Sequence, residues 1–145
     1  TRLRKQMERL AHTLGLHEQV VFLGKVADVP QRLAKTQVFV LATHWEGMPL
    51  ALVEAMAAGC ACITSDAPGA RDVLQHQHDG LIVPHANPAA LAHALEQLLT
   101  QPDYAAQLGT QARRTALTRY GDEQMAQRYQ ALLDMPLLPA TKPTT

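Results

Sequence analysis

Cysteine, net charge and long apolar runs are scarce in this chain of 145 residues, and each shortage excludes a class of protein. Two cysteines are too few for a disulfide scaffold. Cys60 and Cys62 stand two residues apart, a spacing that suits neither a disulfide within one strand nor a zinc motif. As buried free thiols they favour a reducing compartment, and therefore the cytoplasm.

Charge and hydropathy exclude two further kinds of partner. Thirteen basic and thirteen acidic residues balance without a basic cluster, so the sequence predicts no nucleic-acid interface. No apolar run approaches the roughly 20 residues needed to span a bilayer, so no transmembrane segment is predicted. No metal site is predicted either, because carboxylate and cysteine partners at ligand spacing are missing around the histidines at 76, 78, 85 and 93.

Apolar residues make up 47% of the chain, enough for the core of one domain. We expect this domain over residues 1–134, followed by a loose Pro/Thr-rich tail over residues 135–145. Short β-branched runs alternate with stretches of helical periodicity. The predicted strands are 20–24, 38–42, 60–64 and 80–83, and the predicted helices are 3–14, 28–36, 49–58, 69–75, 87–99, 103–119 and 122–133.

Alternating strands and helices predict an α/β fold with a parallel sheet covered on both faces. Ligands of such sheets bind beyond the carboxyl ends of the strands. The chain begins on a helix, lacks an initial methionine and has only four predicted strands. We therefore expect a fragment of a larger α/β domain, with one sheet edge or face left unpaired.

The segment 43–59, THWEGMPLALVEAMAAG, lies at such a strand end and carries Glu46 and Glu54 on either side of a predicted helix start. Gly47 leaves space near the backbone, and Pro49 suits the first helical position. The amides of residues 50–52 would then be uncommitted and suited to a diphosphate. The carboxylates would accept hydrogen bonds from neutral hydroxyls of a sugar and a ribose. The alternative is that both glutamates are solvated residues that favour the helix dipole.

This segment resembles the E-x7-E region of retaining glycosyltransferases with the GT-B fold (glycosyl transferases group 1), and the likeness extends over roughly Leu3 to Leu133. The resemblance implies an incomplete, N-terminally truncated C-terminal donor-binding domain, with a Rossmann-like parallel sheet flanked by helices. It implies that Glu46 is catalytic and lies against the transferred sugar, and that Glu54 binds the ribose. The implied donor-binding residues are Glu46, Gly47, Met48, Leu50, Ala51, Glu54 and, beside the base, Val26.

The function implied by the resemblance is transfer of a hexose, with retention, from a nucleoside diphosphate sugar to a glycan or lipid-linked acceptor. No cofactor or metal is implied, and the protein would be cytoplasmic or peripheral at the inner membrane. A basic pair and the acceptor-binding N-terminal domain of the family are missing, so we expect the isolated chain to be inactive. The alternatives are a non-catalytic nucleotide-sugar-binding module and an inactive truncated fragment.

Two local features complete these expectations. PGARD occupies the place of the family's usual GGxxE loop, so Pro68 and Asp72 replace a glycine and a glutamate. His44 precedes Glu46 by two residues and is a candidate switchable donor near the sugar. The resemblance does not require it for the reaction.

Overall fold

The computed structural model describes residues 2–133, in which three strands and six helices follow one another along the chain. The elements are α1 (Arg2–Thr13), α2 (Val29–Leu33), β1 (Val38–Leu41), α3 (Leu50–Ala58), β2 (Ala61–Ser65), β3 (Leu81–Val83), α4 (Pro88–Thr100), α5 (Pro102–Arg119) and α6 (Asp122–Leu133). The predicted tail over residues 135–145 lies outside the described residues.

The strands form a parallel sheet in the order β1-β2-β3, which confirms the predicted α/β class. Val38 pairs with Ala61 and Ile63 pairs with Leu81 in the two registers. All five residues of β2 are buried, whereas those of β1 are half-buried. A central strand covered on both faces requires the continuous run of small and apolar residues found here.

Cys60 and the residues of β2 that follow it alternate between two hydrophobic clusters, one on each face of the sheet. Cys60 and Cys62 pack with Leu52 and Met56 of α3 on one face. Ala61 and Ile63 face the other cluster, which α4 and α5 complete with Ala94, Leu98 and Leu108. The period of two along a strand explains this division. The prediction of two buried free thiols is confirmed, and burial raises the pKa of both thiols.

A side-chain cap is present at the start of α4 and absent at the start of α2. The Asn87 side chain accepts a hydrogen bond from the amide of Ala90 at 3.0 Å and so caps the start of α4. Asp28 precedes α2, but its carboxylate accepts from Arg32 Nε at 2.9 Å and makes no capping hydrogen bond. This hydrogen bond from Arg32 lowers the pKa of the exposed Asp28 carboxyl.

Two predicted elements are wrong. Residues 20–24 are not a strand, and Val21 and Leu23 are 72% and 53% exposed. A β-branched run forms a strand only where a neighbouring strand accepts its backbone hydrogen bonds, and here the side chain of Arg4 reaches Phe22 O instead, at 3.0 Å. Residues 69–75 form turns and not a helix, because the Gly69 amide donates to Asp72 Oδ2 and Gly69 adopts a φ of +81°.

The N-terminal helix α1 lies largely apart from the two clusters. Ala11 is its one buried residue, while Leu3 and Leu14 beside it are 64% and 60% exposed. Within the described range, β1 is an edge strand that pairs with β2 alone. Over the same residues, no helix is both long enough and apolar enough to traverse a membrane.

Candidate functional site

The candidate site is built on residues 42–49, which connect β1 to α3 and are called here the Glu46 loop. Its base is held at the carboxyl ends of the strands. Ser65 Oγ, at the end of β2, donates to Thr43 O at 2.6 Å. Thr43 Oγ1 in turn donates to Trp45 O at 3.2 Å. The sheet therefore positions the loop at the edge where parallel α/β sheets bind ligands.

A second contact fixes the main chain of Glu46 itself. Its amide donates to Pro68 O at 3.2 Å, and its carbonyl packs directly against Gly69. A Cβ at position 69 would overlap the carbonyl oxygen of Glu46 and lie 2.8 Å from its carbon. The turn over residues 68–73 thus fixes the position of the Glu46 backbone. Asp72 shapes this turn through the amide of Gly69, at 3.3 Å.

Gly47 differs from Gly69 in having no structural requirement for glycine. Its φ is not positive, and apart from residues 46–48 no atom of the described protein lies within 4 Å of the place where a Cβ would stand. Neither backbone conformation nor packing excludes a side chain there. The space beside its Cα is open for the approach of another molecule.

The start of α3 only partly matches the predicted anion site. Pro49 is the capping residue and not the first helical residue. The Leu50 amide donates to Met48 O and the Leu52 amide to Pro49 O, both at 2.9 Å. The prediction of three uncommitted amides is therefore wrong for two of them, because the first turn tightens to satisfy its own donors. The amide of Ala51 has no acceptor among residues 2–133.

Glu54 lies one turn further along α3, on its exposed side. It lines a groove of about 370 Å³ between α3 and α2, whose other wall includes Val29, Pro30 and Leu33. Val26 is half-buried and precedes α2 by three residues. The Arg113 guanidinium borders the groove and donates to Ala57 O at 3.1 Å.

The two carboxylates share one property. Glu46 is half-buried and Glu54 is exposed, and neither side chain has a hydrogen-bond or ion-pair partner within residues 2–133. Both therefore keep their acceptor oxygens for a ligand or for water. The sequence predicts them around a helix start; in the structure the main chain of Glu46 packs against the 68–73 turn, and Glu54 lines the groove beside α2.

A further residue, His85, lies beside the Glu46 loop, although its position in the sequence gives it no predicted role. His85 Nε2 lies 3.0 Å from His44 Nδ1, with the ring centroids 4.4 Å apart and the planes at 74°. Both residues follow the carboxyl ends of parallel strands, β1 and β3. That shared placement is the signal from which their contact could have been found.

Other parts of the described chain offer less chemistry. The two thiols are buried with raised pKa values, so neither is a nucleophile. No group of three or more His, Cys, Asp or Glu side chains in residues 2–133 is arranged to hold a metal ion. An open depression of about 750 Å³ between the 77–78 turn and α5 contains none of the predicted site residues.

Comparisons with known proteins match this architecture. Residues 2–115 match the family described as glycosyl transferases group 1. The chain is 32% identical over 132 residues to the putative glycosyltransferase EpsD of Bacillus subtilis, covering 88% of this chain and 34% of that protein. It is 32% identical over 115 residues to a Campylobacter jejuni N,N'-diacetylbacillosaminyl-diphospho-undecaprenol alpha-1,3-N-acetylgalactosaminyltransferase, covering 79% and 30% of the two chains.

Solved structures give the same result. The structure of Anabaena HepE in complex with UDP superposes with a TM-score of 0.85 at 25% identity, covering 89% of this chain and 36% of that one. Sucrose-phosphate synthase from Thermosynechococcus elongatus superposes with a TM-score of 0.81 at 28% identity, covering 91% and 35%. The chain spans about a third of the length of the curated relatives that it matches.

Proposed function

The chain belongs to the glycosyl transferases group 1 family, as part of the C-terminal domain of a GT-B glycosyltransferase, and we propose that it binds the nucleoside diphosphate sugar from which its parent protein transfers a hexose. HepE was solved with UDP and with UDP and glucose, which supports a nucleotide-sugar donor. The name of the Campylobacter relative supports a glycan or lipid-linked acceptor.

The observation that carries this proposal is the open face of Gly47 between two unpartnered carboxylates. A glycine that neither φ nor packing requires, in a loop held by the sheet and by the 68–73 turn, is suited to close contact with a ligand. The free Ala51 amide stands at the positive end of the α3 dipole. A diphosphate bound at that amide would be flanked by Glu46 and Glu54, each available to neutral hydroxyls.

We assign roles to the site residues on this basis. Glu46 faces the transferred sugar, Glu54 accepts from the ribose hydroxyls, and Val26 borders the base. Of the helix-start amides, that of Ala51 is free for phosphate, whereas that of Leu50 must first exchange its acceptor, Met48 O. The Met48 and Leu50 side chains are 45% and 63% exposed and form the rim of the site.

The proposed reaction retains the configuration at the anomeric carbon. The bond from that carbon to the diphosphate oxygen breaks, and the acceptor oxygen forms its bond on the same face. The acceptor proton passes to the leaving phosphate oxygen, so no side-chain nucleophile is needed. Glu46 stabilises the positive charge that develops on the sugar, and backbone amides offset the charge of the diphosphate without a cofactor. The buried free thiols suit a cytoplasmic location.

A ligand-observed NMR titration of the purified chain with UDP-glucose and GDP-mannose tests this proposal. We expect saturable binding of one donor, weakened about tenfold or more by Glu54→Ala, because hydrogen bonds to a charged acceptor contribute about 1.5–3 kcal/mol. Glu96→Ala, which removes an exposed glutamate from α4, is the matched control and should leave binding unchanged. Absence of saturation with both donors, or an equal loss in both variants, would contradict the proposed function.

A further inference from the structure

We propose that His85 is a positioning residue for donor binding: its hydrogen bond to His44 orients the part of the Glu46 loop next to Glu46, and this contact is lost when both imidazole rings carry a proton, while the other contacts of the loop remain. This inference rests on the proposed function of the loop. It adds a residue from outside the E-x7-E segment and a dependence on pH.

The geometry of the pair defines the protonation states that allow the contact. At 3.0 Å, one imidazole N–H donates to the unprotonated nitrogen of the other ring. A pair with no extra proton or with one extra proton makes this bond. A pair in which both rings are protonated has two N–H groups and two positive charges facing each other, and the bond is lost.

The two sides of the pair are held differently. The His85 amide donates to Asp66 Oδ1 at 2.7 Å, and the Asp66 amide donates to Val83 O at 2.9 Å. His85 is thus tied to the ends of β2 and β3. His44 lies on the exposed Glu46 loop, two residues before Glu46. The hydrogen bond therefore connects a fixed support to the segment that would face the sugar.

The elements packed beside the pair contribute few charged groups. The cavity of about 180 Å³ beside it is lined from β2, the Glu46 loop and α4, and among its lining residues only His44 and His85 are ionisable. The lining residue from β2 is Ser65, and those from α4 are Pro88 and Leu91. Asp66 faces the backbone of His85, and Glu46 lies on the same loop as His44.

Further charge lies in the 68–73 turn, where Arg71 Nε is 3.8 Å from Asp72 Oδ1. The carboxylates of Glu46, Asp66 and Asp72 accept no hydrogen bond from either ring in the described structure. They therefore do not replace the lost contact.

The test is a titration with UDP-glucose at pH 7.5 and at pH 5.0. This donor is suitable because its diphosphate diester has no proton that titrates between these values. We expect wild-type binding to be about three- to tenfold weaker at pH 5.0, the factor that corresponds to one net hydrogen bond. The affinity of His85→Ala for UDP-glucose at pH 7.5 should already be lower than that of the wild type by the same factor. Its affinity should change little between pH 7.5 and pH 5.0.

Two further variants separate positioning from a general effect. His85→Gln keeps a neutral partner for His44, so its binding at pH 7.5 should equal that of the wild type and its loss at pH 5.0 should be smaller. His93→Ala removes an exposed histidine on α4 and should reproduce both wild-type values. Nitrogen-15 spectra of the imidazole rings without donor should show a shift of His44 in His85→Ala and none in His93→Ala.

The outcomes distinguish this inference from the proposed function. Normal binding at pH 7.5 with the same pH ratio in His85→Ala as in the wild type would overturn the positioning role alone. An unshifted His44 ring in His85→Ala would overturn the hydrogen bond itself. Absence of wild-type binding to UDP-glucose and GDP-mannose at pH 7.5 would overturn the proposed function and this inference with it.

Discussion

Replacement of Gly69 by alanine tests whether the 68–73 turn supports the Glu46 loop as the structure shows. Two costs add at this position. A φ of +81° disfavours any side chain by about 1–2 kcal/mol. The new Cβ would also overlap the carbonyl oxygen of Glu46 and lie 3.0 Å from that of Gly47, and such overpacking typically costs about 1–3 kcal/mol. We expect a total loss of about 2–5 kcal/mol in the free energy of unfolding.

Gly59→Ala is the matched control because it carries the first cost without the second. Gly59 ends α3 with a φ of +84°, and its nearest neighbour for a Cβ is Gly109 O at 4.0 Å. Its loss should be about 1–2 kcal/mol. Urea denaturation followed by far-UV circular dichroism measures both values. If the two variants lose equal stability, within about 0.5 kcal/mol, the close packing of Gly69 against Glu46 is wrong.

Two further predictions concern buried groups. Asp79 is 2% exposed and accepts hydrogen bonds from the Gln75 amide at 2.6 Å and from Thr115 Oγ1 at 2.9 Å. In urea denaturation we expect Asp79→Ala to lower the free energy of unfolding by about 2–4 kcal/mol and Thr115→Val by about half as much. Equal losses in the two variants would contradict this arrangement. Burial raises the pKa of the Cys62 thiol above its ordinary value of 9.0, so the unfolded state releases this proton first. The contribution of Cys62 to the free energy of unfolding is therefore fully present below about pH 9 and falls by up to about 1.4 kcal/mol per pH unit above it. Cys62→Ala should lose this slope when denaturation is measured between pH 8 and pH 11. An unchanged slope would show that the thiol ionises equally in the folded and unfolded states.

The sequence predicts those elements whose formation depends on nearby residues. β2 follows from a continuous apolar run, and the start of α4 follows from Asn87 and Pro88. The strand expected over residues 20–24 fails because strand formation needs a neighbour, which local composition does not reveal. The helix predicted over residues 69–75 does not form, because the local hydrogen bond from the Gly69 amide to Asp72 competes with helical hydrogen bonds.

The candidate site shows the same division. Glu46, Gly47 and Glu54 lie within one stretch of nine residues, so the sequence alone predicts that they share a segment. The prediction of a free Leu50 amide is wrong, because this amide donates to Met48 O in a tight first turn. That turn depends on the backbone angles of Pro49. The contact between His44 and His85 joins residues 41 positions apart and depends on the order of the strands in the sheet. No spacing rule supplies that order.

The weak attachment of α1 has a consequence for the dynamics of the chain. α1 has one buried residue, Ala11, and the Arg4 side chain donates a hydrogen bond to Phe22 O in the next segment. The helix therefore makes few contacts with the hydrophobic core that unfolds cooperatively. We expect its amide hydrogens to exchange with solvent through local opening, while those of β2 exchange only when the whole sheet unfolds. The molecule would then behave as two units of unequal protection, and the site belongs to the more protected one.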